Sequence, residues 1–243
     1  MLKGLAQKNI LALAHIGSSI KGVLHNMNSP LTAVLGRSEM LLFRFKKLKG
    51  SFADAEINEL LEKSINDIEI IIKNCTKVNS ANSNLMQKSI SCESEDKEDL
   101  NLSMLFNTEL MFMSANMEFK HNIEKDISIA DNVFIKDAIY VDFSNTFNEL
   151  LENSIYVLRG SENKKISIKL QSDNNHIIME FGNNGPGMNP SQKDQIIKIF
   201  YGENSNNNDS TFARIGKLLS PYRAKFEIEN IKGNNVIKIK IQV

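Results

Sequence analysis

The sequence predicts two long α-helices folded back on each other as an antiparallel hairpin, followed by a compact α/β segment. Apolar residues recur at Ile20, Leu24, Met27, Leu31, Leu35 and Leu42, with Ser38 in the one polar slot. That is close to the seven-residue spacing of a helical packing seam. A second stripe runs through Ile57, Leu61, Ile65, Ile68, Ile72, Cys75 and Val78 in alternating steps of three and four. Beyond residue 100 the period changes: Lys165 to Gln171 and His176 to Phe181 alternate as a strand pair, and Ala224 to Val243 reads as a hairpin around Gly233.

The first helix should run from about Ala6 to Lys47, interrupted only by Pro30, which has no N–H for the carbonyl of Asn26 and should kink the helix there. Lys49, Gly50 and Ser51 mark a turn, with Gly50 able to close the helix in a left-handed conformation. The second helix should begin near Asp54. A hairpin alone covers only part of its apolar surface, and pairing two of them into a four-helix bundle covers the rest, so a homodimer is expected. A plain coiled-coil dimerisation arm is the other reading of the same stripes.

From Asn79 to Glu98 the apolar periodicity stops and Ser, Asn, Glu, Asp and Lys dominate, which reads as a linker or as a linker plus a short strand at Ile90. The expected division is 1–90 for the helical domain, 91–99 for the linker and 100–243 for the α/β domain. In the last, Leu100 to Met117 reads as a helix with Leu102, Leu105, Phe106, Leu110 and Met113 inward. Ile123 to Ile129 and Val133 to Ile135 read as strands, and Asp142 to Leu158 as a helix. A further helix opens in NDSTFARIGKLL, with Ser210 or Thr211 as its N-cap.

Composition narrows the function. Hydrophobic residues make up 42% and charged residues 24%, as in an ordinary globular protein. The 29 basic and 29 acidic side chains balance, so no broad nucleic-acid or anionic-membrane binding is indicated. Cys75 and Cys92 lie far apart without ligand-spaced company, pointing to neither zinc nor a disulfide framework and fitting a reducing cytoplasm. His15, His121 and His176 likewise lack ligand-spaced partners. No apolar run approaches the ~20 residues of a membrane helix, so input is expected through a separate sensor protein or a soluble ligand.

Two places carry chemistry. In GVLHNMNSPLTAVL, His25 falls beside the apolar seam, where an imidazole is held in place yet reachable, as suits a neutral nucleophile near pH 7. In FNELLENS, Glu149 and Asn153 are four residues apart on one helix face, a carboxylate and an amide able to hold Mg²⁺ and a water. Thirty residues on, the strand IIMEF leads into GNNGPGM, where glycines let the backbone approach a flat ligand and Asn183 can address a base edge.

The His-x-x-x-x-Pro-Leu pattern of His25 and Pro30 resembles the phospho-acceptor box of two-component sensor histidine kinases. The E-x-x-x-N helix followed by a strand and N-G-P-G is similar to the N box and first glycine box of the histidine-kinase, gyrase and heat-shock-chaperone ATPase superfamily. The resemblance covers almost the whole chain. It implies a dimerisation and histidine phospho-acceptor hairpin followed by an α/β sandwich of Bergerat type that binds ATP with Mg²⁺, and a response-regulator receiver domain as partner. It implies that Asn153 coordinates Mg²⁺, Glu149 supports the metal and a proton transfer, and Asn183 faces the adenine amino group. Gly185 and Gly187 would form the adenine pocket, and Ile199 and Phe200 sit where the family has a phenylalanine motif bordering a lid. Ser29, one turn after His25, stands where the family often has a residue that holds water against a phospho-aspartate.

Three departures matter. Asn26 follows the histidine where the family usually carries an acid, and an amide cannot take the imidazole proton. Asn183 replaces an aspartate, leaving one acceptor. The lid glycines are absent: Asp209, Ser210, Thr211 and Phe212 stand in their place, so the backbone cannot come as close to phosphates, although the helix they open presents its positive end. The expectation is a histidine-kinase-like protein that passes a phosphoryl group from ATP to His25 and on to a receiver aspartate. The rivals are an ATP-independent phosphotransfer or phosphatase protein with a degenerate ATPase-like domain, and a non-catalytic dimer that sequesters receivers.

Overall fold

The computed structural model describes residues 24, 27–52, 54–93, 96–173, 175–203, 210–231 and 233–242. His25 and Asn26 lie outside the described residues, as does Asp209. The chain divides into two compact units, Met1–Glu93 and Ser94–Val243.

In the first unit, helix α1 covers residues 27–48 and helix α2 covers Ala55–Glu93. Gly50 ends α1 with a φ of 81°, in the left-handed region where glycine alone avoids a steric penalty. Asp54 opens α2, its carboxylate accepting from the backbone N–H of Glu56 at 2.8 Å. Lys46 pairs with Glu69 at 2.8 Å and Lys49 with Glu62 at 2.9 Å, while Asn82 donates to the carbonyl of Leu24 at 2.9 Å. The end of α1 thus meets the start of α2 and the start of α1 its end, the pairing of an antiparallel hairpin.

The structure corrects two expectations here. The polar stretch after Val78 is not a linker and Ile90 is not in a strand: α2 continues to Glu93 as a helix of 39 residues. The seam simply changes chemistry, for Asn79 and Asn82 prolong the three-four spacing of Leu61, Ile65, Ile68, Ile72 and Cys75, and Asn82 is buried. With neither Pro nor Gly in the stretch, nothing stops the helix. Second, Met27 is exposed and Asn28 takes its place on the seam, where its side-chain oxygen accepts from Asn82.

In the second unit, strands β2 (Ile123–Ile129), β4 (Lys164–Ser172), β5 (His176–Asn183), β6 (Lys225–Ile231) and β7 (Asn234–Gln242) form a sheet of order β2-β4-β5-β7-β6. The β2–β4 pair is parallel and the others antiparallel. Strands β1 (Glu98–Asn101) and β3 (Phe134–Ala138) make a separate two-stranded sheet. Helices α3 (Leu102–Met113), α4 (Met117–His121), α5 (Tyr140–Val157), α6 (Pro190–Phe200) and α7 (Thr211–Leu219) complete the unit.

Alternation along the strands gives the sheet two faces of opposite character. Ile166, Ile168, Leu170, Met179, Phe181, Ile237 and Ile239 are buried in one core with Phe106 of α3 and Phe143, Phe147, Leu150 and Leu151 of α5. The opposite face is charged, with Lys238 on Glu180 at 3.1 Å and Lys240 on Glu227 at 2.9 Å. Phe147 meets Phe106 edge-on at 4.8 Å and Phe181 at 5.4 Å, so one ring of α5 is packed against both α3 and β5. That packing turns Glu149 and Asn153 away from the core.

The sequence-read strands and α5 stand within a few residues of their expected bounds, while β1, α4 and α6 were not anticipated. Helix α6 follows a capping box, with Asn189 accepting from Gln192 N–H at 2.9 Å and the Gln192 side chain accepting from Asn189 N–H at 2.9 Å, and Pro190 in the first turn. Ser210 is the cap of α7.

Candidate functional site

Helix α5 presents Glu149 and Asn153 to a cleft of about 560 Å³, and α7 presents Thr211 and Arg214 to the same cleft from the other side. Arg159 and Tyr156, just beyond Asn153, complete its cationic and aromatic wall. Arg214 donates from Nε to Glu149 Oε1 and from Nη2 to Glu149 Oε2, both at 2.7 Å, a bidentate ion pair. Its Nη2 also reaches Thr211 Oγ1 at 3.4 Å. The hydrogen bonds from Arg214, reinforced by its charge and by the Thr211 hydroxyl, hold the Glu149 carboxyl below the usual carboxylate range against the opposing effect of burial.

This pairing decides how the cleft relates to a metal ion. Both oxygens of Glu149 are engaged by a guanidinium, and among the described residues no three His, Cys, Asp or Glu side chains gather as a ligand set. Asn153 adds a single amide oxygen. A divalent ion at Glu149 would have to share these oxygens with Arg214, beside the Asn153 amide oxygen and the second carboxylate of the cleft, Glu152.

The other sequence-read positions lie apart from this cleft. Asn183 ends β5 almost fully buried, and its side-chain oxygen accepts from the backbone N–H of Gly185 at 3.1 Å. Gly185 is packed so tightly that a Cβ there would stand 2.5 Å from Val157 Cγ1, so only glycine fits between the loop and the last turn of α5. At Gly187 the nearest neighbour of a Cβ would be 3.6 Å away, an ordinary contact. Phe200 is buried at the end of α6 and stacks on Phe226 at 4.4 Å. Ser29 is exposed on α1.

Three residues were not anticipated. Asn235, opposite Asn183 in the β5–β7 ladder, donates to the carbonyl of Pro186 at 2.9 Å and accepts from Met188 N–H at 3.3 Å, shaping the whole glycine loop. Gly216 lets α7 touch α6, since a Cβ there would meet the Phe200 carbonyl oxygen at 1.9 Å. Arg214 is the third. An exposed arginine on a short amphipathic helix carries no local signal of its partner, whereas the Asn183–Asn235 pairing was in principle readable once the two strands were placed as neighbours.

No protein-family model and no curated protein matches the sequence. Solved structures do resemble it in fold. One nucleotide-free catalytic domain of histidine kinase ThkA is 18% identical, spans 60% of this chain and 95% of its own, and superposes with a TM-score of 0.51. The C-terminal unit has the fold of a histidine-kinase catalytic domain. Histidine kinase ThkA in complex with response regulator protein TrrA is 17% identical, spans 91% of this chain and 62% of its own, and gives a TM-score of 0.50.

Proposed function

We propose that this chain is a histidine-kinase-like signalling protein in which His25 carries a phosphoryl group and exchanges it with the aspartate of a response-regulator receiver domain. The observation that carries this is the catalytic-domain fold with Glu149 and Asn153 side by side in its cleft, joined to a hairpin that contains the His25–Pro30 box. ATP is the donor in this reading. The bond from its γ-phosphorus to the bridging oxygen breaks, ADP leaves with the electron pair, and a phosphorus–nitrogen bond forms at the imidazole. That bond then breaks as the receiver carboxylate takes the phosphoryl group.

A homodimer, a separate sensor or soluble ligand as input and a cytoplasmic setting belong to the same proposal. Met27, Val34, Leu41 and Leu48 on α1, and Ile57, Ile71 and Val78 on α2, are exposed at spacings of seven or fourteen residues. An apolar stripe of that period matches the seam a second hairpin would cover. No helix of the described residues is long and apolar enough to cross a membrane.

A second reading is favoured by one observation, the engagement of both Glu149 oxygens by Arg214. It makes the chain an ATP-independent phosphotransfer or phosphatase protein. Purified protein with labelled ATP and Mg²⁺, beside His25→Ala, separates the two. Label acquired by the wild type and lost in the variant supports the first, and label in neither, with phosphoryl exchange from a phosphorylated receiver intact, supports the second.

A further inference from the structure

Away from the nucleotide-type cleft, and sharing no residue with it, the α/β unit carries a groove of about 580 Å³ between β3, the end of β7 and the turn after α7. Its floor is apolar: Ile135 and Ile241 are buried beneath it, and Phe134 and Pro221 form exposed walls. Its rim is cationic, with Lys97, Lys136 and Arg223 exposed around it and Asp137 the one carboxylate. None of these three cationic side chains makes an ion pair or hydrogen bond among the described residues. With three exposed cations and one carboxylate over an apolar floor, the rim is net positive and complementary to an anion with an apolar body.

Arg223 is held on the rim by the turn it closes: its φ of 52° places its N–H on the Ser220 carbonyl at 3.1 Å, capping the Ser220–Tyr222 turn. The size falls within the roughly 300–1,000 Å³ of small-molecule pockets, which are mostly apolar with a few placed polar groups.

We propose that this groove is a binding site for a small soluble amphipathic anion, a carboxylate or phosphate head held by Lys136, Arg223 and Lys97 with a short apolar body on Phe134, Ile135 and Ile241. The concave shape, with its apolar floor below the charged rim, suits a single molecule better than a flat lipid surface. The site is also well placed for input. The 3-10 turn Ser220–Tyr222 follows α7 directly, and the Tyr222 hydroxyl donates to Asp142 in the first turn of α5 at 2.7 Å. An occupant therefore bears on the two helices that carry Arg214 and Glu149, whether or not the cleft between them uses ATP.

The test titrates the full chain with decanoate by calorimetry, beside decanol and phosphatidylglycerol vesicles, in the wild type and in Lys136→Gln/Arg223→Asn, where asparagine tolerates the left-handed backbone. Decanoate should bind the wild type and slow amide exchange at residues 134–138 and 221–224. The double variant should bind it about tenfold or more weakly, with the weak affinity for decanol unchanged. Equal decanoate affinity in both proteins, protection appearing on the helical hairpin instead, or a response to vesicles with none to decanoate would each overturn the proposal. Should the double variant fail to fold, Lys97→Gln, which lies outside the turn, gives the same reading with a smaller loss.

Discussion

Arg214 on α7 grips Glu149 on α5 through two parallel hydrogen bonds of 2.7 Å, joining residues 65 positions apart. The pair lines one cleft and ties α7 to α5. Because the two side chains are 46% and 26% exposed, solvent screens the pair and its worth to global stability is small. Its consequence is local. In Arg214→Gln the melting temperature should hardly move, while amide exchange along α7 accelerates and MgATP affinity rises about tenfold as the carboxylate is released. Calorimetry showing weaker binding in the variant would make Arg214 a nucleotide contact instead of a clasp.

The clasp also has a pH limit, with a definite sign. The folded-state pKa of Glu149 lies below the ordinary value of 4.5, so the carboxylate favours the folded pair and its contribution is complete above that value. It is lost as pH falls through the depressed folded value. Protection of α7 amides should therefore stay constant from neutrality down to the ordinary carboxylate range and fall away only below it. Glu149→Gln should lack this acid step, and a step at pH 6 to 7 in the wild type would point to a different titrating group.

How much of this was legible depends on whether the deciding residue acts locally. Gly50 ends a helix by its own backbone freedom, and the strands of the main sheet announce themselves by alternation, so both were readable. The extension of α2 was not, because Asn79 and Asn82 occupy seam positions as polar residues and a test for apolar periodicity stops at Val78. The start of α6 is written in Asn189, Pro190 and Gln192, although apolar periodicity alone does not reveal the helix. In the site, Glu149 and Asn153 share a face because helix geometry requires it. Arg214 meets Glu149 only through the packing of α7 on α5, which no spacing in the sequence encodes.

Glu109 shows the same limit in the core. Its side chain is fully buried, accepting from Ser144 Oγ at 2.6 Å, Asn148 Nδ2 at 3.0 Å and Tyr140 Oη at 3.5 Å, and so stitches α3 to α5. Glu109→Ala leaves these donors facing a void and should cost about 3 kcal/mol in a urea unfolding titration. Glu109→Gln keeps one acceptor and should cost less. If the alanine variant unfolds at the wild-type midpoint, the carboxylate is not what joins the two helices.

Ser29 carries the remaining prediction. It is exposed on α1 and lies four residues after His25 in sequence, so a receiver domain docked at the histidine is expected to meet its hydroxyl as well. A hydroxyl both donates and accepts, and can therefore orient a water for attack on a phospho-aspartate, with the phosphorus–oxygen bond to the aspartate breaking as inorganic phosphate forms. That reaction needs neither an acid at Asn26 nor an open cleft at Glu149, so it is the activity least affected by the Arg214 pairing. The chain should shorten the lifetime of its phosphorylated receiver even where it takes no label from ATP. Ser29→Ala should lengthen that lifetime again by about tenfold or more while dimerisation and receiver binding stay unchanged, since Ser29 is exposed and is neither a seam position nor one of the apolar stripe residues. Equal lifetimes with wild type and variant would remove Ser29 from the site, and a lifetime that the wild type leaves untouched would remove the phosphatase activity itself.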